Sequence, residues 1–295
     1  MRLGVGLPHY GALADATGIG TFAAHAEKVG YESIWVGDRV LTPLEPSDLY
    51  PGGTPERPYP PQFTKYLDPL VALTVAATAT EQIRLGSSTL IGTLHSPLLL
   101  ARTLTSLDLV SQGRLDVGLG IGWMRSEYAA AGVPWAARGR RLEELMDALV
   151  AMWTGDPVTH EGPLWQIPPS QVDLRPVQRP HPPLLLGAHT EAALERVGRK
   201  ADGWLPAGRP LEVMAQQWDV IRTAADRAGR DPGKLRRILR LNPRPGAELP
   251  DVAAQLAAAR EAGIEEAFVD LHFITASVAE ATERADDLFA LVARG

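Results

Sequence analysis

The chain has 295 residues, 45% of them hydrophobic and 22% charged, with a formal net charge of −6 and no cysteine. The composition is ordinary for a globular protein long enough to form one large domain, and the negative balance argues against broad nucleic-acid binding, which needs excess Lys and Arg. Without cysteine there is no disulfide, thiolate-ligated metal, iron–sulfur cluster or thiol nucleophile.

No apolar run approaches the roughly 18 residues that span a bilayer. The N-terminal MRLGVGLPHYG has no long apolar core before a small-residue cleavage site, so a cytoplasmic location is expected. Strand and helix then alternate along the chain. Arg2–Pro8 reads as a buried strand, and Thr17–Val29 as a helix with Ile19, Phe22, Ala23, Ala26 and Val29 on one face and Gly30 as its C′ residue. Ser33–Gly37 is a second strand, ending at Asp38 and Arg39. Residues 40–66 break the rhythm with seven prolines and three tyrosines, a long irregular insertion of the kind that carries function or forms a lid.

A helix over Asp68–Thr80 and a strand over Ile83–Ile91 follow. The next helix has Ser96 as N-cap, Pro97 at N1, and Leu100, Leu104 and Leu107 inward, and it closes at Gly113. Leu115–Ile121 is the fourth strand, and a helix from about Arg138 to Trp153 buries Leu142, Leu145, Leu149 and Met152. A second insertion, 154–182, contains the hairpin-like PVTHEGPLWQI with Glu161-Gly162 as its turn. The rest reads as strand Leu184–Leu186, helix Thr190–Arg199, strand Gly203–Pro206, helix Pro210–Ala228, strand Arg237–Leu241, helix Asp251–Ala262, strand Ala267–Leu271 and helix Ala276–Arg294.

Eight strands, each followed by a helix, predict an α/β fold: a TIM (β/α)8 barrel in one domain over 1–295, with an open doubly wound sheet as the alternative. The insertions follow strand 2 and helix 4. In a barrel the active face lies at the C-terminal strand ends, which selects His9, Asp38, Arg39, Leu90–Thr93, Gly122, Trp123, Gly187–Thr190, Trp204, Asn242, Arg244 and His272.

The glycines of GRLDVGLGIGW suggest a dinucleotide fingerprint, but the G-x-G-x-x-G spacing fails at Trp123 and again at Arg125. No Walker A loop, G-x-S-x-G elbow or metal-ligand spacing appears. Four ordered blocks, YESIWVGDR, IRLGSSTLIGTLHSPLLLARTLTSLDLVSQGRLDVGLGIGW, GVPWAARGRRLEELMDALVAMWTGD and RPHPPLLLGAHTEAALERVGRKADGW, together resemble the bacterial luciferase-like monooxygenase superfamily. The likeness is closest to its coenzyme F420 (deazaflavin)-dependent oxidoreductases; it covers roughly residues 1–206 and fades beyond.

The resemblance implies a flavin-like ring at the strand ends, with insertions covering the site. It maps a non-prolyl cis peptide to Ser88–Thr89, behind the ring, and gives Gly120 and Gly122 the task of clearing space for it. Cofactor contacts map to Asp38, Arg39, Ser88, Thr89, Ile121, Gly122, Ser126, Gly187, Ala188, His189 and Thr190. The turn Gly187–Thr190 enters a helix that Thr190 is able to cap, and free N–H groups with the helix dipole suit it to a phosphate; relatives often have two glycines where this chain has Gly187-Ala188. Two departures touch the chemistry. Arg39 stands where some relatives have histidine, and Trp123 where some carry a glutamate proton donor; neither guanidinium nor indole is a useful acid.

The catalytic candidates are Asp38, His9 and Trp123. Asp38 either bonds the ring or a hydroxyl, or pairs with Arg39. His9 is either a general acid–base near neutral pH or a surface-loop histidine. Trp123 either flanks the ring or packs ordinarily, and His189 lies beside the phosphate turn. The leading expectation is hydride transfer between F420 and a small organic substrate. An FMN-dependent monooxygenase, fed by a separate reductase and using O2, is the second, and a non-catalytic cofactor-binding protein the third. The resemblance also implies a homodimer, with no nucleic acid or membrane as partner.

Overall fold

A computed structural model describes residues 1–50 and 53–294; positions 51 and 52 of the first expected insertion, and the last residue of the expected domain, lie outside the described residues. Its strands are β1 Arg2–Gly6, β2 Ser33–Val36, β3 Arg84–Ser87, β4 Leu90–Ile91, β5 Leu115–Gly120, β6 Val158–Glu161, β7 Gln166–Ser170, β8 Leu184–Leu186, β9 Gly203–Trp204, β10 Arg236–Leu241 and β11 Glu266–Val269. The α-helices are α1 Ile19–Val29, α2 Pro69–Thr78, α3 Pro97–Val110, α4 Arg125–Ala130, α5 Arg138–Thr154, α6 Glu191–Lys200, α7 Leu211–Arg227, α8 Leu249–Glu261 and α9 Val278–Arg294. The parallel sheet runs β3-β2-β1-β11-β10-β9-β8-β5-β4, and a β3–β5 pairing closes it. Since β3 and β4 are two segments of one wall, the result is the expected eight-stranded (β/α)8 barrel.

Helix ends follow local chemistry. Gly30 leaves α1 at φ 114° and returns its N–H to Ala26 O at 3.2 Å, which a residue without a Cβ does at little cost. Asp68 caps α2 by accepting from the N–H groups of Leu70 and Val71, both at 2.9 Å. At two expected caps the outcome differs. Ser96 and Thr190 occupy the N-cap positions of α3 and α6, but their side chains make no cap hydrogen bond; both are exposed, so water competes for the hydroxyl. The expected third strand is broken at the cis Ser88–Thr89 peptide into β3 and β4. The short helix α4 has no counterpart among the expected elements, because RSEYAA is too short to show a helical period.

The second insertion holds the expected hairpin, β6 paired antiparallel with β7. Its turn closes from Gly162 N–H to Trp165 O at 3.0 Å. Glu144, buried on α5, fixes that turn by accepting from Leu164 N at 2.9 Å and Trp165 N at 2.8 Å.

The barrel interior is layered, because period-2 alternation sends every second strand residue inward. At the floor, Asp116 of β5 is fully buried and bonds both Arg84 of β3 and Arg236 of β10, at 2.7 and 2.6 Å. Arg236 continues to Glu266 of β11 at 2.7 Å, and Glu266 to Arg2 of β1 at 2.7 Å. Above it Trp35, Leu185, Leu205, Ile238 and Phe268 form a separate apolar cluster. Trp35 and Phe268 stack at 4.8 Å and 10°, worth about 0.5–1.5 kcal/mol beyond buried area. Glycines make the space: a Cβ at Gly86 would overlap the Trp35 ring, and one at Gly118 the Ser87 carbonyl oxygen. Gly118 therefore serves strand packing. At Gly120 the space a side chain would take belongs to Thr89 Oγ1, so the room expected there for a ring holds the threonine of the cis bulge.

Candidate active site

A polar layer caps the apolar cluster at the C-terminal end of the barrel. Arg240 follows Arg236 and Ile238 on the inward face of β10, and its side chain spans the mouth. It donates from Nη1 to the Ser88 carbonyl, from Nη2 to Asp270 Oδ2 at 2.6 Å and from Nε to Asn242 Oδ1 at 3.0 Å. Asp270, just past β11, also accepts from the Tyr10 hydroxyl at 2.9 Å and pairs with His272 Nδ1. Burial alone would raise the Asp270 carboxyl, but the charges and hydrogen bonds of His272 and Arg240 outweigh it and hold Asp270 well below the usual carboxylate range. Asp270 is a fixed anion, not a proton donor.

Around this ion pair the aromatic rings lie in parallel. Tyr10 stacks on His272 with centroids 3.6 Å apart and on Tyr66 at 4.5 Å, tilted by 5° and 3°. His272 is buried, and its Nε2 has no hydrogen-bond partner among the described residues. With Nδ1 on the Asp270 carboxylate, Nε2 is the ring atom left free.

His9 lies beneath these rings and is not a surface-loop residue: it is 1% exposed. Its Nδ1 donates to Leu7 O at 2.6 Å, and its Nε2 accepts from Gly37 N–H at 2.8 Å, tying the end of β1 to the end of β2. Burial, with the neighbouring His272, lowers its pKa to about 3. The ring is neutral and both nitrogens are committed, an arrangement that suits a strut between strands.

Asp38 does not pair with Arg39. Its Oδ2 accepts from Ile91 N–H at 2.8 Å, joining β2 to β4 beside the cis bulge, and burial pushes its carboxyl above the ordinary value against the pull of that bond. Arg39 turns the other way, with its guanidinium 4.6 Å from the Trp123 ring centroid and 5.4 Å from that of Phe63. Behind it Glu127 of α4, fully buried, lies 3.4 Å away and accepts from Val40 N–H at 2.9 Å. Tyr50 meets Trp123 edge-on at 5.5 Å, and Asp48 accepts from Arg125 N–H at 2.8 Å. Arg39 and Trp123 are thus in contact, a cation–π pair that clips the first insertion to the loop after β5.

The remaining expected cofactor contacts divide in two. Ile121, Gly122 (φ 63°) and Ser126 lie half-buried in that loop and the start of α4. Gly187 adjoins the Thr89 methyl group, 3.3 Å from where its Cβ would stand, so the ends of β4, β5 and β8 converge on Thr89. Ala188 is buried, while His189 and Thr190 are exposed at the entrance to α6. Arg240, Asp270, Tyr10 and Tyr66 were absent from the candidates. The alternation Arg236, Ile238, Arg240 in RRILRL is the signal that marks Arg240 as inward-facing.

The fold has counterparts among known proteins. The model of the family described as luciferase-like monooxygenase matches residues 2–291. A Mycobacterium tuberculosis protein of uncharacterized function is 30% identical over 263 residues, 88% of this chain and 90% of that one. The FMNH2-dependent dimethylsulfone monooxygenase of Pseudomonas putida is 33% identical over 150 residues, 50% of this chain and 41% of that enzyme. Among solved structures, an F420-dependent secondary alcohol dehydrogenase in complex with an F420–acetone adduct superposes with a TM-score of 0.75 at 14% identity, covering 99% of this chain and 98% of that one. With nearly its whole length matched, this chain belongs to the luciferase-like monooxygenase family, whose members are flavin- or F420-dependent oxidoreductases and monooxygenases.

Proposed function

We propose that the chain transfers a hydride between coenzyme F420 and a small organic substrate at the mouth of the barrel. The observation that carries the reading is the buried, unpartnered His272 Nε2, held by Asp270 among Tyr10, Tyr66 and Arg240. A buried nitrogen left without a partner costs about 1–3 kcal/mol, and such a group calls for an explanation, of which a ligand supplying the missing bond is one.

The residues present fit a flavin-like cofactor. The mouth is walled by Gly37, the Ser88–Thr89 bulge and Gly187, and at Gly37 a Cβ would meet no atom closer than 3.7 Å. The turn Gly187–Thr190, exposed at His189 and Thr190, leads into α6, where the Thr190 side chain takes no first-turn N–H and Ala193 N–H goes to Thr190 O, leaving the N–H groups ahead of it for a phosphate. When bound, the deazaflavin supplies the hydride. Arg240 braces the Ser88 carbonyl of the bulge, Asp38 holds its far side, and the Arg39–Trp123 clip keeps the first insertion against the site that would hold the cofactor. No helix among the described residues is long and apolar enough to cross a membrane, in keeping with a cytoplasmic enzyme; a homodimer belongs to the same reading.

The resemblance to the Pseudomonas putida enzyme favours a second reading: an FMN-dependent monooxygenase that takes reduced flavin from a separate reductase. Anaerobic assays with reduced F420 and a panel of ketones, imines and enoyl compounds, run beside oxygen uptake with reduced FMN, separate the two. Oxidation of reduced F420 dependent on an organic acceptor is expected. Oxygen uptake with reduced FMN and no F420 turnover selects the monooxygenase, and bound cofactor with neither reaction leaves a binding protein.

A further inference from the structure

Arg39 and Trp123 pair with each other and neither is a useful acid, so the hydride transfer proposed above needs another proton source. We propose that the hydroxyl of Tyr66, delivered by the first insertion, is the catalytic proton donor to a carbonyl oxygen, which assigns the substrate pair to the ketone–alcohol class; this inference rests on the proposed function.

Most of the other carboxyls, imidazoles and phenols at the mouth already hold a hydrogen-bond partner. Asp38 is bonded to Ile91 N–H, Glu127 to Val40 N–H, and both His9 nitrogens are taken. Asp270 is locked as an anion between Arg240, His272 and Tyr10. His272 keeps Nδ1 on Asp270, and its Nε2 is unpartnered. Of the six tyrosines, Tyr10, Tyr31, Tyr59 and Tyr128 spend their hydroxyls on Asp270, Ala285 O, Pro43 O and Ile121 O. The Tyr50 hydroxyl also lacks a hydrogen-bond partner among the described residues, but its ring packs edge-on against Trp123 and Phe63 and has no stack to fix it on Tyr10. The Tyr66 hydroxyl has no hydrogen-bond partner among the described residues.

Its position is built. The backbone on either side is pinned, with Lys65 O accepting from Gly11 N–H at 2.8 Å and Leu67 N–H donating to His9 O at 2.9 Å. The ring stacks on Tyr10 and meets His9 edge-on at 5.5 Å. The hydroxyl and the Arg240 guanidinium flank one small gap: a Cβ at Gly37 would lie 3.7 Å from Tyr66 Oη and 3.8 Å from Arg240 Nη2. Burial keeps the phenol protonated well above its ordinary range, while the Arg240 charge pulls the other way and favours the phenolate.

The step balances. The carbonyl carbon gains the hydride from the reduced deazaflavin, which is oxidised by two electrons. The carbonyl π pair moves to oxygen, and that oxygen takes the Tyr66 proton. The phenolate, facing Arg240, regains a proton from water.

Tyr66→Phe keeps the ring stack and removes the donor. Two readouts are needed: dead-end binding of cyclohexanone to the oxidised F420 complex, followed by cofactor fluorescence, and the anaerobic reduction rate. The expected result is ketone binding weakened about tenfold and kcat lowered about 10²–10⁴-fold, with the F420 Kd unchanged. A variant that binds cyclohexanone and turns over like the parent overturns the inference, as does a parent complex that binds F420 but holds no ketone. So does loss of F420 binding in the variant, which would give Tyr66 a structural role. A parent protein that binds no F420 overturns the proposed function instead.

Discussion

Replacing Asp116 with alanine is expected to cost about 3–5 kcal/mol of stability, the range for breaking a buried ion pair by removing one partner. The carboxylate is fully buried and accepts two hydrogen bonds from Arg84, at 2.8 and 2.7 Å, and two from Arg236, at 2.6 and 3.2 Å. Burial raises its pKa, and the hydrogen bonds and charges of the two arginines more than reverse that. Without it two guanidiniums face each other across the barrel floor, with Glu266 left to neutralise Arg236 alone. Against a total of about 5–15 kcal/mol for a natural protein, that loss is a large fraction of the margin. Urea unfolding of the variant and parent measures it. A loss under about 1 kcal/mol would mean that the floor network carries no net stability.

His9 sets the pH dependence on the acid side. Its pKa falls from the ordinary histidine value of 6.5 to about 3 in the fold. Below about pH 6.5 the unfolded chain takes up a proton that the folded chain refuses until about pH 3, so the stability due to neutral His9 is complete above 6.5 and is lost as pH falls. The expected slope approaches 1.4 kcal/mol per pH unit within that window. Asp270 and Asp116, both held below the ordinary carboxylate value, add their losses only at lower pH. His9→Gln keeps a donor and an acceptor for the strut but cannot titrate. Its stability, followed by urea unfolding from pH 7 to pH 4.5, should fall less steeply than the parent's. Parallel curves would show that His9 is not the group being charged.

The barrel was legible because parallel strands buried on both faces read as apolar runs, and helices carried their own start and stop signals. An inward-facing group at a regular strand position carries a signal even where it was missed: Arg240, absent from the candidates, sits two residues beyond Ile238 and four beyond Arg236. Groups that depend on the path of an irregular segment were not. Nothing in the proline-rich stretch of residues 40–66 marks Tyr66 as the ring that stacks on Tyr10, and nothing local sets Arg39 against Trp123. His9 illustrates a third case. Its position at a strand end was plain, but its neutrality comes from burial under His272 and from two backbone partners, which sequence does not display. The glycines of GLGIG were legible as a need for space, and the fold reveals the neighbours: the Ser87 carbonyl at Gly118 and Thr89 at Gly120.

The central claim is that the mouth bounded by Gly37, Ser88–Thr89 and Gly187 holds a flavin-like cofactor. Titration of the purified protein with F420 and with FMN, followed by tryptophan fluorescence, tests it most directly, since half-buried Trp123 reports from the clip and Trp35 from directly below the mouth. Saturable quenching at micromolar concentrations, tighter with F420 than with FMN, is the expected result. Absence of quenching by either cofactor would contradict the assignment of this site.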